Sequence, residues 1–434
     1  MLYNATARPY REREPQKDIS MRFGPPVARH CLPPSSAPHQ PDSRSRRRLA
    51  AGTAGLAVLL AAAPAGAQVF ELDATASTKL EAQDNVLRLP DGVEPGGDRS
   101  KSDFSHTYGL DVNGAANFGL QRLFVDGSVE RTMYVENDLL DRTNSSVEGG
   151  LEWSVTTACN GVVKAGYSER QTDLSELLEI VSNTQTTTSF RAEAGCRIAA
   201  YYRPEVAVFA RKTENELESR ALADVEERGI TGRFLYVRPE FSAAGVEVTY
   251  TQREYPNRAR VDPSFTDDVT QIDTKLLLRR RLTGKAEAEF GVGASQLGGA
   301  IDAGPYVIYN AQLTWDITPI LAMTANVGRA VSGSDVVVSD LRVDHFGIID
   351  LTYTLSPKVD LTGEIAYFDR TYENYSPVVG DRTDQALELE LGAGWEAYDN
   401  IRLFAEYGYK TQDSNIERAQ FDAHRVTTGL AISF

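Results

Sequence analysis

The chain has 434 residues, with 61 Asp and Glu against 45 Lys and Arg and a formal net charge of −16. That acidic balance argues against a nucleic-acid partner, which needs a basic face. Three cysteines and five histidines, in no metal-ligand spacing, give no expectation of a metal or a cofactor.

In chain order the first feature is a secretory signal. Arg46, Arg47 and Arg48 precede LAAGTAGLAVLLAAAPAGA, which ends on Ala65-Gly66-Ala67. A basic stretch, a short apolar run and a small-residue ending predict cleavage between Ala67 and Gln68. Residues 1–45, with GPPVARHCLPPSSAPHQP, are Pro-rich and unpatterned, and translation is expected to start at Met21 or later. The chain therefore divides into an extension plus signal over 1–67, with its apolar region at 49–67, and one exported unit over 68–434. Cys31 leaves with the signal. Cys159 and Cys196 remain, and an oxidising compartment favours one disulfide between them.

From Gln68 onward no apolar run reaches the ~20 residues of a membrane helix. Instead, period-two alternation rich in Val, Thr, Tyr and Phe predicts eighteen strands. They fall at 69–80, 104–118, 122–136, 144–156, 161–172, 185–198, 203–213, 229–239 and 244–254. The rest fall at 268–281, 284–295, 304–316, 319–331, 342–355, 358–371, 382–396, 399–411 and 421–434. Their connections alternate in length. TACNG, SAAG, LTGK, DITP, LSPK and EAYDN are hairpin turns, whereas 82–103, 173–184, 214–228, 255–267 and 372–381 are long and polar.

Short turns on one rim and long loops on the other predict a transmembrane antiparallel up-and-down β-barrel of 16–18 strands. With an even count both termini lie on the periplasmic, short-turn side. Leu387, Leu389, Leu391, Ala393 and Trp395 alternate with Glu388, Glu390, Gly392, Gly394 and Glu396, an apolar face against a charged one. Trp153, Trp315 and Trp395 sit near short-turn ends, as an interfacial girdle would. A soluble sandwich also alternates but would not sort its loops by side. Open edges would leave backbone groups unpaired in lipid, so the first and last strands are expected to pair.

With LTWDITPILAMTANVGRAV, LTYTLSPKVDLTGEIAYFDRTY and the closing VTTGLAISF, the region 70–434 resembles the proteobacterial outer-membrane family named “putative β-barrel porin 2”. The resemblance implies an outer-membrane location and a porin-like role. It also implies, for some members, an exit for secreted polysaccharide that would need periplasmic export partners. Expected surroundings are outer-membrane lipid, lipopolysaccharide and the barrel-assembly machinery. Leu430, Ile432 and the terminal Phe434 resemble the aromatic-ended signal read by that machinery.

The enzyme reading does not hold. Asp267-Asp268 and Asp344-His345 are adjacent pairs, and neighbours on a strand point to opposite faces. Asp422 and His424 share a face, but it is the outward one. The function is expected in the lumen. Inward phase places Glu148, Glu152, Glu193, Glu247, Glu287, Glu289, Asp350, Asp360, Glu364, Glu388, Glu390 and Glu406 there. Lys164, Arg170, Arg191, Arg197, Lys275, Lys285, Arg370, Arg402, Lys410 and Arg425 share it.

Carboxylate excess in a wet pore predicts a weakly cation-preferring passive channel for small hydrophilic solutes. A structural or adhesive barrel with a closed lumen is the other class. DLSELLEIVSN (173–183) carries Leu174, Leu177, Leu178 and Val181 at helical spacing, either folded over the lumen or on the outer rim. The charged 214–229 segment is expected to be a solvated loop. Cys159 and Cys196 are expected at the periplasmic rim with one strand between them, bridged only if their Cα atoms come within ~7 Å.

Overall fold

The computed structural model describes residues 69–434 apart from 173, 175–179, 239–241, 259–267, 300–302, 334–340 and 377–379. Residues 1–68, with the signal and its cleavage point at Ala67 and Gln68, lie outside the described residues, as do Asp267, Leu177 and Leu178. No helix among the described residues is long and apolar enough to cross a membrane.

Eighteen strands follow one another. They begin with β1 (Val69–Gln83), β2 (Asp103–Phe118), β3 (Gln121–Tyr134), β4 (Arg142–Thr156), β5 (Cys159–Gln171) and β6 (Thr184–Cys196). The middle six are β7 (Tyr202–Asn215), β8 (Val225–Arg238), β9 (Ser242–Glu254), β10 (Asp268–Thr283), β11 (Ala286–Gly299) and β12 (Ala303–Thr318). The last six are β13 (Leu321–Gly333), β14 (Leu341–Ser356), β15 (Val359–Ser376), β16 (Gly380–Tyr398), β17 (Ile401–Ser414) and β18 (Phe421–Ser433).

Each strand pairs antiparallel with its sequence neighbours, and β1 pairs with β18, so the sheet is a closed ring. Following residue partners once round the ring returns to β1 displaced by about 22 residues, a stagger that tilts the strands by ~40°.

The alternation sorts the two faces. Leu72, Leu110, Val147, Val163, Val246, Leu276, Val292, Ile365 and Leu391 stand exposed on the outside, where lipid would cover them. Exposed Trp315, Trp395, Phe70 and Phe434 ring the short-turn end. Tyr108, Tyr167, Tyr250 and Tyr309 ring the wall toward the long-loop end. Two aromatic belts bounding an apolar band match the two interfaces of a bilayer. Phe434 itself, 75% exposed, donates its backbone N–H to Ala74 O at 2.8 Å and so fixes the last residue to β1.

On the inner face, bulky rings sit over glycines of a neighbouring strand. Phe124 covers Gly150, Phe209 covers Gly229, Phe346 covers Gly328 and Phe404 covers Gly429. A ring laid on the wall fills the gap left by a missing side chain and keeps the lumen clear.

Three expectations need correction. The 372–381 loop is mostly strand: β15 runs to Ser376 and β16 starts at Gly380, because alternation continues past the membrane. The 214–229 segment is only partly a solvated loop: Glu214, Glu216 and Glu218 are exposed, but the segment is built on regular structure. It holds a 3₁₀ helix at Glu218–Ala223 with Arg220 and Ala223 buried, and β8 begins at Val225. No strand separates the two cysteines. Cys159 opens β5 and Cys196 closes β6, they are register partners with Cα atoms 4.1 Å apart, and a disulfide joins them.

A Cβ on Gly429 would enter the Phe404 ring and come within 2.7 Å of Thr78 O, which is backbone and cannot step aside. Gly429→Val is therefore expected to lower stability by about 1–3 kcal/mol, measured as an earlier urea midpoint for loss of heat-modifiable gel mobility. An unchanged midpoint would contradict the assigned packing.

Candidate functional site: the barrel lumen

The inner wall is built of charged side chains that alternate with the lipid-facing residues, so each strand contributes its odd or even set as a block. Glu148, Glu152, Lys164, Arg170, Arg191, Glu193, Glu247, Lys275, Glu287, Glu289, Asp350, Asp360, Glu364, Arg370, Glu388, Glu390, Arg402, Glu406, Lys410 and Arg425 all lie on that inner phase. Lys285 and Arg197 do not belong to the wall. Both stand exposed in short turns, since β11 begins at Ala286 and β6 ends at Cys196.

The wall of β6–β11 carries three adjoining groups of ion pairs. Arg191 meets Glu193 at 2.7 Å, and Arg203 meets Glu205 at 2.6 Å. Arg233 reaches Glu205 at 3.6 Å and Glu247 at 2.5 Å, and Lys275 approaches Glu247 at 3.7 Å. Arg279 bridges Glu287 and, at 2.9 Å, Glu289. The side chains of Arg233 and Glu247 are only 4% and 5% exposed, so this layer is packed and not merely wetted.

Half-way round the ring, β14–β17 present Asp350, Glu364 and Glu390 as a row of register partners, with Glu388 and Glu406 on neighbouring rungs. Lys410 pairs with Glu388 at 2.9 Å and Arg425 with Glu390 at 2.5 Å. Asp350, Glu364 and Glu406 have no ion-pair partner among the described residues, nor do Asp73, Asp111 and Asp126 on β1–β3. Basic inner side chains are mostly paired: Lys79 with Glu130, Lys164 with Glu148 and Arg402 with Asp360, at 2.7–2.9 Å. The unneutralised charge of the lumen is thus negative.

Toward the long-loop end the lumen fills. Arg342 and Arg370 converge on Asp344 at 2.8 and 3.6 Å. Arg382 binds Asp384 at 2.6 Å and stacks on Tyr372. Tyr372 and Arg382 are wholly buried. Asp344 therefore points inward while His345 points out, as expected for neighbours on β14.

Loops add a second lid layer. Val86, Leu87, Leu140 and Leu174 form one buried cluster joined by Ile180 and Val181, so the described part of 173–183 packs on other loops. Asn183, Asn215, Asp224 and Asn257 link three loops by side-chain hydrogen bonds of 2.9–3.0 Å, and burial pushes the Asp224 carboxyl above its ordinary range.

Sequence reasoning missed Arg203, Arg233, Arg279, Arg342, Arg382 and Asp384. Arg233 was legible from its alternation with Ile230 and Phe234. Arg382 and Asp384 stand where β16 outruns the membrane.

The profile of the family described as “Putative beta-barrel porin 2” matches residues 181–434, from the loop before β6 to the C-terminus. The chain belongs to that family. No curated protein matches it. Among solved structures it is similar to OccK2 (OpdF) of Pseudomonas aeruginosa, crystallised with glucuronate. The two share 13% identity, with 84% of this chain and 98% of that one covered and a TM-score of 0.47. It is similar to OpdK of the same organism at 12% identity, with 84% and 99% covered and a TM-score of 0.46. It is also similar to that organism's ferric enterobactin receptor PfeA at 9% identity, with 83% and 80% covered and a TM-score of 0.45.

Removing one member of a buried ion pair leaves the other charge uncompensated. Glu247→Ala should cost about 3 kcal/mol, whereas the apolar pair Arg233→Met with Glu247→Leu should recover most of it. Urea unfolding of vesicle-embedded protein, followed by tryptophan fluorescence, measures both. Equal stability of Glu247→Ala and the parent would contradict the network.

Proposed function

We propose that this protein is a porin-like passive channel of the bacterial outer membrane, passing small hydrophilic solutes with a weak preference for cations. One observation carries the reading. An eighteen-stranded ring is wide enough to hold water, and Asp350, Glu364 and Glu406 face its interior without cationic partners among the described residues. Fixed carboxylates in a confined aqueous space raise the local cation concentration and lower the barrier to cation passage.

A structural barrel with a closed lumen is the second reading, favoured by the buried Tyr372 and Arg382 at the extracellular end. Conductance separates the two. In planar bilayers under a salt gradient the reversal potential should report cation preference, and Asp350→Asn with Glu364→Gln should move it toward zero. Anion preference would overturn the selectivity claim, and silence of every assembled form would favour the closed barrel.

The same proposal gives the C-terminus a role in biogenesis. The exposed aromatic at the end of β18, outside the ring, is placed to be read by the barrel-assembly machinery. Deleting Phe434 should leave unassembled protein in the periplasm, seen as loss of heat-modifiable mobility in outer-membrane fractions; normal assembly would exclude this role.

A further inference from the structure

Among the described residues the widest parting of neighbouring strands is at the extracellular end of β12 and β13, against two rungs between β4 and β5. Their last register pair is Tyr309 with Arg329. Beyond it β12 continues to Ala303 bonded only to β11, and β13 continues to Gly333 bonded only to β14.

The freed ends overlap. Val331, Leu341 and Val343 belong to the outward phase of β13–β14, the phase of lipid-facing Val327 and Ile349. Val269, Leu297 and Ile308 belong to the inward phase of β10–β12. All six pack into one buried cluster with Val225 and Tyr255. An outer face can meet an inner face only if β13–β14 has bent into the lumen and lies over the wall.

Three side chains seal the overlap. Gln271 Nε2 donates to Val331 O at 2.9 Å, Arg329 Nη1 donates to Val307 O at 2.9 Å, and Tyr306 Oη donates to Glu373 Oε2 at 3.1 Å. Gly328 on β13 and Gly347 on β14 stand at the level of the bend, where a missing Cβ eases it. A Cβ on Gly328 would enter the Phe346 ring.

We propose that the extracellular ends of β13 and β14 are a flap that gates the lumen; this rests on the channel reading above. Docked, the flap fills the mouth. Undocked, the β12–β13 register has a direct continuation in which Ile308 faces Ala330 and Val307 faces Val331. In that arrangement Val331 and Val343 return to the outer, lipid-facing side, and the edge carbonyls gain ladder donors in place of Gln271 and Arg329. Val331 and Val343 therefore meet apolar surroundings in both states, whereas Val269, Leu297 and Ile308 are covered only when the flap is docked, so the docked state is the resting one. Pro305, which has no N–H to give, limits how far the ladder can extend.

Two engineered disulfides test it. Ile308→Cys with Val331→Cys can bridge only across the docked overlap, because in the zipped register those residues point to opposite faces. Val307→Cys with Val331→Cys can bridge only when the ladder is zipped. Each assembled variant is examined in planar bilayers, oxidised and then mildly reduced. The first lock should lower conductance several-fold and regain it on reduction; the second should hold it at its highest level.

Equal conductance of the two locks would overturn the flap while leaving the channel reading intact. Failure of the Val307–Val331 bridge to form would also overturn it. Absence of conductance in every form, locked or reduced, would remove the channel reading and the flap together.

Discussion

Backbone hydrogen bonding in a medium without water is the constraint from which the rest of this structure follows. A strand in lipid has nowhere to place its N–H and C=O groups except on another strand, so the sheet must close. β1 and β18 supply the closure, from Gln83 opposite Arg425 to Thr75 opposite Ser433. Phe434 adds a final backbone bond to Ala74. The sequence at that join is ordinary alternation; what makes it decisive is position, since either strand alone would be an exposed edge.

Closure at eighteen strands creates an interior that side chains must line but cannot fill evenly. On β6–β11 the problem is met by a packed chain of arginines and glutamates. On β14–β17 carboxylates outnumber their partners. The long-loop end is met differently again, by bending β13–β14 inward so that apolar residues coat apolar residues. Two walls of unequal charge and one end of unequal packing arise from the same requirement.

Much of this was legible because period-two alternation is a strong signal when one face meets lipid. Leu387, Leu389 and Leu391 against Glu388 and Glu390 fix both the strand and its orientation. Loop sorting by side did the rest. The misses have physical causes. Strands that outrun the bilayer keep alternating with polar residues on both faces, so β15 and β16 near 372–381 resemble a loop. Arg197 and Lys285 keep the inward phase of their neighbours but stand beyond the last rung.

The cysteine pairing turns on a strand boundary: TACNG reads as a turn, yet Cys159 already opens β5, the sequence neighbour of β6. Val331 and Val343 carry the same alternation as any lipid-facing residue, so nothing in their spacing shows that their strand ends turn inward. The 214–229 segment is as charged as a solvated loop, yet Asp224 gathers Asn215 and Asn257 around it.

The central claim is that the charged face of the ring is a water-filled passage and the apolar face meets lipid. Adjacent cysteines test it most directly. With the native cysteines joined to each other, Glu364→Cys and Ile365→Cys would each introduce one free thiol in a membrane-embedded, conducting protein. A charged, water-soluble thiol reagent should modify position 364 and change conductance while leaving position 365 untouched. Labelling of 365 with 364 protected, or labelling of 364 with no effect on conductance, would contradict the account.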